Sequence, residues 1–528
     1  MDTVFAGATV VDGTGAPGYV ASVSVRDGRI VEIARDRPGT GVDATGLVLA
    51  PGFVDMHAHS DLVLLTEPEH LAKVSQGVTC EVIGQDGLSY APVDDDVPAL
   101  LREQLAGWNG DPSGFEWDWR SVGQYLDRLD RGIAVNAAYL VPQGTVRMRH
   151  VGWADRAATP DELDGMRRDV AEAMAQGAVG LSSGLTYPPG MYAGTDELVA
   201  LCQVVAGLGG YYSPHHRGYG AGALDHFAEM VDVARRSGVA LHLAHATMNF
   251  PVNAGRASEL LALLDGATDC DISLDTYPYL AGATYLAALL PSWAAEGGPA
   301  ATIARLSDVD IRERIRVDME EVGSDGCHGV PVDWSAIEIN GVRRRHNEQL
   351  VGHSVARSAQ RLGVPPIALY LDTLADEDLG TSCLMHVGDE DNVRAIMRHR
   401  THTGGSDGLL VGDRPHPRGW GTFPRYLGRY VRELGVLGLA ECVEHLTSRP
   451  ARRLGLVDRG VVREGAVADL VLFDPDTIGD NATFEQPRQA ASGVHTVLVN
   501  GIAVLADGRP TGALPGRSIR RGIHALPR

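Results

Sequence analysis

Lysine is almost absent from this chain: of 528 residues only Lys73 is one, so any chemistry that needs a lysine must use that position. Long apolar runs are missing too. No segment approaches the roughly 18 consecutive apolar residues of a membrane helix. The opening MDTVFAGATVVDGTG reads directly as a strand and a turn, without the basic segment, apolar stretch and cleavage site of a secretory leader. A cytoplasmic protein without membrane contact is the expectation. Paired cysteines are lacking as well: Cys80, Cys202, Cys270, Cys327, Cys383 and Cys442 are scattered with no CxxC, which fits reduced, mostly buried thiols better than a disulfide framework. With 46 Lys plus Arg against 68 Asp plus Glu, the net charge of −22 excludes the basic footprint that nucleic acid or an anionic membrane surface demands of a partner.

What is present is the composition of an ordinary globular protein, 44% hydrophobic and 22% charged. A single core stops growing near about 250 to 300 residues, so a chain of this length predicts a large domain and a smaller one. From residue 51 onward, short β-rich runs alternate with amphipathic helical patterns. FVDMHAH, VTCEVIG, AVNAAYLVP, AVGLSSGL, GYYSPHH, ALHLAHA, DISLDTYPY and THTGGSD make eight such runs. Eight strands alternating with helices predict an α/β fold, a (β/α)8 TIM-like barrel with function at the strand C-terminal ends. One further run, TSCLMHVG at 381–388, is a strand too many. Residues 283–350 interrupt the alternation with a Gly/Pro/Trp-containing stretch that reads as an insertion or lid. Turn-punctuated β runs at 1–50 and 465–528 predict a small sandwich-like β-domain built from both chain ends, leaving 51–464 as the barrel.

The histidines fall where such a barrel would use them. In PGFVDMHAHSDL, His57 and His59 leave a strand on the same side, about 7 Å apart. Asp86 follows the second strand in IGQDG, His215 closes the fifth in YYSPHH, His245 closes the sixth in LHLAHA, and Asp407 closes the eighth in GGSDG. Taken singly, each is an ordinary core histidine or turn aspartate. A barrel nevertheless gathers strand ends around one axis however far apart they are in sequence, and imidazole nitrogen with carboxylate oxygen is the usual zinc set. His216 and His242 point away from the proposed ligands by strand alternation. Spacing does not rank His386 or His416.

The wording of PGFVDMHAHSDL, GLSSGLTYPPGMYAGTDEL, YYSPHHRG, DTYPYLAGATYL, and GGSDG with HPRGWGTFPRYLGRYVRE resembles the amidohydrolase superfamily and, within it, the N-acyl-D-amino-acid deacylase (D-aminoacylase) family. The resemblance implies a metal-dependent hydrolase of linear amides with a zinc-activated water, acting on a small-molecule N-acyl amino acid. It further implies His57, His59, His215 and His245 as metal ligands and Asp407 as general base, with Tyr187, Tyr277 and Arg418 at positions that hold the substrate carboxylate. Two departures stand out. Where the family has a cysteine ligand after the second strand, this chain has Asp86, a harder ligand that can bridge two cations and leaves one or two ions, zinc or another divalent metal, open. Where the family has a lysine two residues after the sixth-strand histidine, this chain has Thr247. An Nε-acyl-lysine deacylase on the same scaffold would accommodate that loss. A hydantoinase-like cyclic amidase would need a carboxylated lysine, and Lys73 sits in the helical segment TEPEHLAKVSQ rather than at a strand end. A barrel that only binds would have lost Asp407 or two of the histidines. Oligomeric state is not legible.

Overall fold

A computed structural model describes residues 3–35 and 40–524. Eight parallel strands, numbered β1 to β8 here, span Phe53–Asp55, Val78–Ile83, Asn136–Pro142, Gly180–Gly184, Tyr211–His215, Ala240–Leu243, Ile272–Thr276 and His402–Gly404, each paired with its successor. Met56 N donates to Gly404 O at 3.1 Å and Asp407 N to His57 O at 2.7 Å, which brings β8 back against β1. The expected barrel is therefore the fold. Strands covered on both faces need no polar alternation, and VTCEVI and NAAYLVP are buried at every position. The intervening helices follow their local signals. Pro160–Ala175 opens on a Thr159/Glu162 capping box and turns Met166, Val170 and Met174 inward, and Ala223–Ser237 stops at Gly238, whose φ of +73° suits glycine.

Both chain ends build one β-domain, as expected, and it is formed by a single sheet. Val48–Pro51 pairs antiparallel with Leu470–Phe473, linking Thr3–Val10, Tyr19–Arg26 and Arg29–Ala34 on one side to Val494–Val499 and Ile502–Ala506 on the other. With the short strands Val42–Asp43 and Arg509–Pro510 these seven form one continuous nine-stranded sheet, with a core of its own that includes Phe5, Val23, Leu49 and Leu470.

Between β7 and β8 lies a third sheet, antiparallel and four-stranded, in the order Ala281–Tyr285, Ser382–His386, Ile337–Gly341, His353–Ser354. The surplus run at 381–388 belongs here and not to the barrel. The departure from barrel alternation thus begins at 281 and ends at 386, beyond the 283–350 expected. Leu286, Leu289, Ile339, Tyr370 and Met385 belong to a separate apolar cluster under this sheet.

Candidate metal centre and active site

The four histidines and two aspartates singled out at the strand ends lie together in one buried cluster. His57 Nε2 is 3.4 Å from Asp86 Oδ1, His59 Nε2 is 3.6 Å from Asp86 Oδ2, and on the other side His215 Nδ1 and His245 Nε2 are 3.4 and 3.5 Å from Asp86 Oδ2. Asp407 Oδ1 approaches His59 Nε2 at 3.1 Å and His57 Nε2 at 3.7 Å. Two groups able to hold a metal ion result, His57/His59/Asp86/Asp407 and Asp86/His215/His245, with Asp86 common to both. Donor atoms about 2.1 Å from one tetrahedral cation lie about 3.4 Å apart, which is the spacing seen here. Both ring nitrogens of His57 and Oδ1 of Asp86 are buried without a hydrogen-bond partner. Such atoms are costly unless something else satisfies them, and a divalent cation among these six side chains would do so.

The backbone pays for this convergence. Asp86, His245 and Asp407 have φ of 52°, 29° and 49°, a left-handed region that side chains other than Asn, Asp and Gly seldom adopt and that concentrates at functional sites. Gly405 is needed for a different reason: a Cβ there would lie 2.6 Å from Asp275 Oδ1 and 2.9 Å from the Cβ of His57.

Electrostatics complete the picture. Burial opposes charge on His57, but Asp86 and Asp275 outweigh it and push its pKa up, whereas at Asp86 the surrounding histidines overcome burial and hold the carboxyl well below its usual range. Asp407 is likewise kept ionised against burial, here by Arg418, whose Nη2 lies 2.9 Å from Asp407 Oδ2. Arg418 thus forms a buried ion pair with Asp407. It is fully buried, stacks 4.5 Å over the Tyr277 ring, and leaves Nε and Nη1 without partners. Tyr187 packs its ring 4.8 Å from that of His215 and its hydroxyl 3.1 Å from Thr284 Oγ1. Together with Tyr219, Tyr277, Thr247 and His328, it lines a cavity of about 70 Å³ that opens onto Asp86 and Asp407.

Several partners of these side chains lie outside the residues singled out from the sequence. Thr186 Oγ1 meets His215 Nε2 at 2.7 Å, and Tyr219 OH meets His245 Nδ1 at 2.9 Å. Asp275, the aspartate of DTYPY, accepts from the backbone N of His245 at 2.9 Å, meets His242 Nε2 at 3.0 Å, and lies 3.7 Å from His57 Nδ1. Its strand-end position is the signal that could have found it. His216 packs 4.1 Å from the Phe227 ring and does not join the ligands. His416 accepts from the backbone N of Arg418 at 2.9 Å, whereas His386 is exposed and faces Glu338. Lys73 lies beneath the site, fully buried and ion-paired with Asp55, with Nζ 2.8 Å from Ser406 Oγ and 3.5 Å from Glu81 Oε2.

The amidohydrolase family model matches residues 40–505. The chain is 34% identical to the D-aminoacylase of Alcaligenes xylosoxydans xylosoxydans over 99% of its own length and 98% of that protein, and 36% identical to the N-acyl-D-aspartate deacylase of the same organism over 100% and 96%. It also superimposes, with a TM-score of 0.82 and 33% identity over 98% of this chain and 99% of the other, on the N-acyl-D-glutamate deacylase of Bordetella bronchiseptica solved with zinc and a phosphonate mimic of the tetrahedral intermediate.

Proposed function

The chain belongs to the amidohydrolase family, and from that membership we propose that it is a zinc-dependent deacylase of N-acyl-D-amino acids, hydrolysing the amide to a carboxylic acid and a free amino acid. The observation that carries this reading is the meeting of two imidazole-carboxylate groups at Asp86, with Asp407 poised between them and Arg418. When bound by His57, His59, Asp86, His215, His245 and Asp407, one or two divalent cations supply a Lewis acid that polarises the scissile carbonyl and acidifies water.

The remaining chemistry falls to the chain's own groups. Asp407, ionised beside Arg418, accepts the proton of the attacking water and returns it to the leaving amine. Arg418, whose Nη2 is engaged by Asp407 and whose other nitrogens are unpartnered, is the cation that would attract the substrate carboxylate through a charge-assisted hydrogen bond, beside Tyr277 and Tyr187 of the cavity lining. Thr186 and Tyr219 fix the ring orientations of His215 and His245. Thr247, in the same cavity, supplies a hydroxyl where the family has an ammonium, so the anion is held by Arg418 with neutral help.

The Nε-acyl-lysine alternative gains no support, because the full-length relatives described above act on N-acyl-D-amino acids or are D-aminoacylases. The cyclic-amidase alternative needs a lysine among the ligands, and Lys73 is instead buried between Asp55 and Glu81. A binding-only barrel has no call for a retained ligand set. Among the described residues no helix is long and apolar enough to cross a membrane, and all six cysteines are free, which supports a reducing, cytoplasmic location.

Amine release from N-acetyl-D- and N-acetyl-L-amino acids by zinc-loaded protein tests the activity; no hydrolysis of any D-substrate would sink it. Asp407→Asn is expected to lower kcat at least about 100-fold with zinc content nearly unchanged by elemental analysis. Zinc lost from a folded variant would make Asp407 chiefly a ligand and not the base.

A further inference from the structure

Phe250 has φ 67° and ψ 151°, a conformation that is essentially reserved for glycine. Strain of this kind persists only where surrounding structure enforces it, and it concentrates at ligand clamps. Here Phe250 N donates to Val387 O at 2.6 Å, and its ring lies 5.4 Å from that of His328. On one side Phe250, Leu289, Met385 and Val387 face the metal cavity. On the other, the same four residues line a second cavity of about 280 Å³ that continues to Val252, Val332 and Ile337. The two spaces thus share an apolar wall, part of it contributed by the four-stranded insertion sheet.

Volume and polarity decide what this second cavity suits. About 70 Å³ beside the ligands holds the reacting groups and little more, whereas the adjoining space is four times larger. Its lining is mainly aliphatic; the one carboxylate, Asp333, is turned to Ser335, whose Oγ donates to it at 2.6 Å. Val252 remains half-exposed in this lining. Met385, unbranched and pliable, is the wall residue best able to move aside.

Resting on the deacylase reading above, we propose that this annexe receives an extended apolar chain carried by the substrate, so that the protein prefers N-acyl amino acids bearing a long alkyl or aryl tail over N-acetyl amino acids with small side chains. The tail belongs to either the acyl group or the amino-acid side chain, and separate arms of one experiment tell them apart.

Sulfonamides are not hydrolysed, so affinity can be read without turnover. Calorimetry on zinc-loaded protein would compare N-octanesulfonyl-D-alanine with N-methanesulfonyl-D-alanine for the acyl arm. For the side-chain arm it would compare N-methanesulfonyl-D-2-aminooctanoate with the same short reference. Each buried methylene is worth about fourfold in affinity, so two buried groups give more than tenfold. One arm is expected to show at least a tenfold gain for the long chain, and Val332→Trp, which fills the annexe, to cut that gain below threefold. Val252→Asp, at an exposed position that tolerates charge, should do the same and serves if the tryptophan variant does not fold. No gain in either arm, no binding by any analogue, or a gain that survives both substitutions overturns the annexe. Failure of every N-acyl-D-amino acid to be hydrolysed, with the chain-length gain intact, would overturn the activity and not the annexe.

Discussion

Lys73 and the carboxylates around it set the charge balance beneath the ligand-bearing strands. Asp55 Oδ1 accepts from the backbone N of His57 at 3.2 Å and of Ser406 at 2.8 Å, so the ion pair with Lys73 anchors the strand end carrying two ligands to the turn carrying Asp407. Removing one partner of a buried ion pair leaves an uncompensated charge, which costs about 3 to 5 kcal/mol. Lys73→Met is expected to lose that much in urea unfolding; a loss under about 1 kcal/mol would show that the network is dispensable. Glu81 carries the pH dependence of the same network. Burial alone would raise its pKa, yet His70 and Lys73 outweigh burial and lower it from 4.5 to about 2. Because the folded value is depressed, the stabilisation is complete above about pH 4.5 and is lost as the pH falls towards 2. Thermal unfolding of Glu81→Gln should therefore decline less steeply than that of the parent between pH 4.5 and 2, and parallel curves would refute the assignment. Residues of this kind divide what the sequence discloses from what it hides. His57, His215 and Asp407 are legible because strand ends converge in any barrel. The contacts of Lys73 with Ser406 and of Tyr219 with His245 depend on side-chain packing, which no periodicity encodes.

At the scale of elements, the strand at Ser382–His386 is the instructive case. Its run of buried, β-rich residues has the same local signature as a barrel strand, and pattern alone does not name a strand's partner. Its actual neighbours are Ala281–Tyr285 and Ile337–Gly341, and antiparallel pairing with them takes it out of the barrel. The eight barrel strands and the joining of the chain ends were legible because their alternation with helices, or with tight turns, repeats; the insertion has no repeat to betray its extent. Its apolar cluster is separate from that of the barrel, and such units open on their own below the global unfolding free energy. Amides of 337–341 and 382–386 are expected to exchange with solvent as one set, earlier than those of Tyr211–His215. Exchange of both groups at one rate would show a single cooperative unit.

Across the whole molecule, the proposed ligands sit at the ends of strands from β1 to β8, so metal binding by them would constrain the entire barrel. A ligand that binds only the folded state stabilises it by mass action, by about 2.7 kcal/mol at a hundredfold excess over Kd. Protein stripped with a chelator should melt at lower temperature and recover in step with added zinc. A melting temperature indifferent to zinc would mean that the ligand cluster does not bind it. The scarcity of lysine has a practical consequence at this scale. With Lys73 sealed inside at 0% exposure, the folded surface offers no side-chain amine to succinimidyl esters or glutaraldehyde. Supports and labels that grip proteins through such amines will find no side-chain anchor, and immobilisation must instead go through the plentiful surface carboxylates.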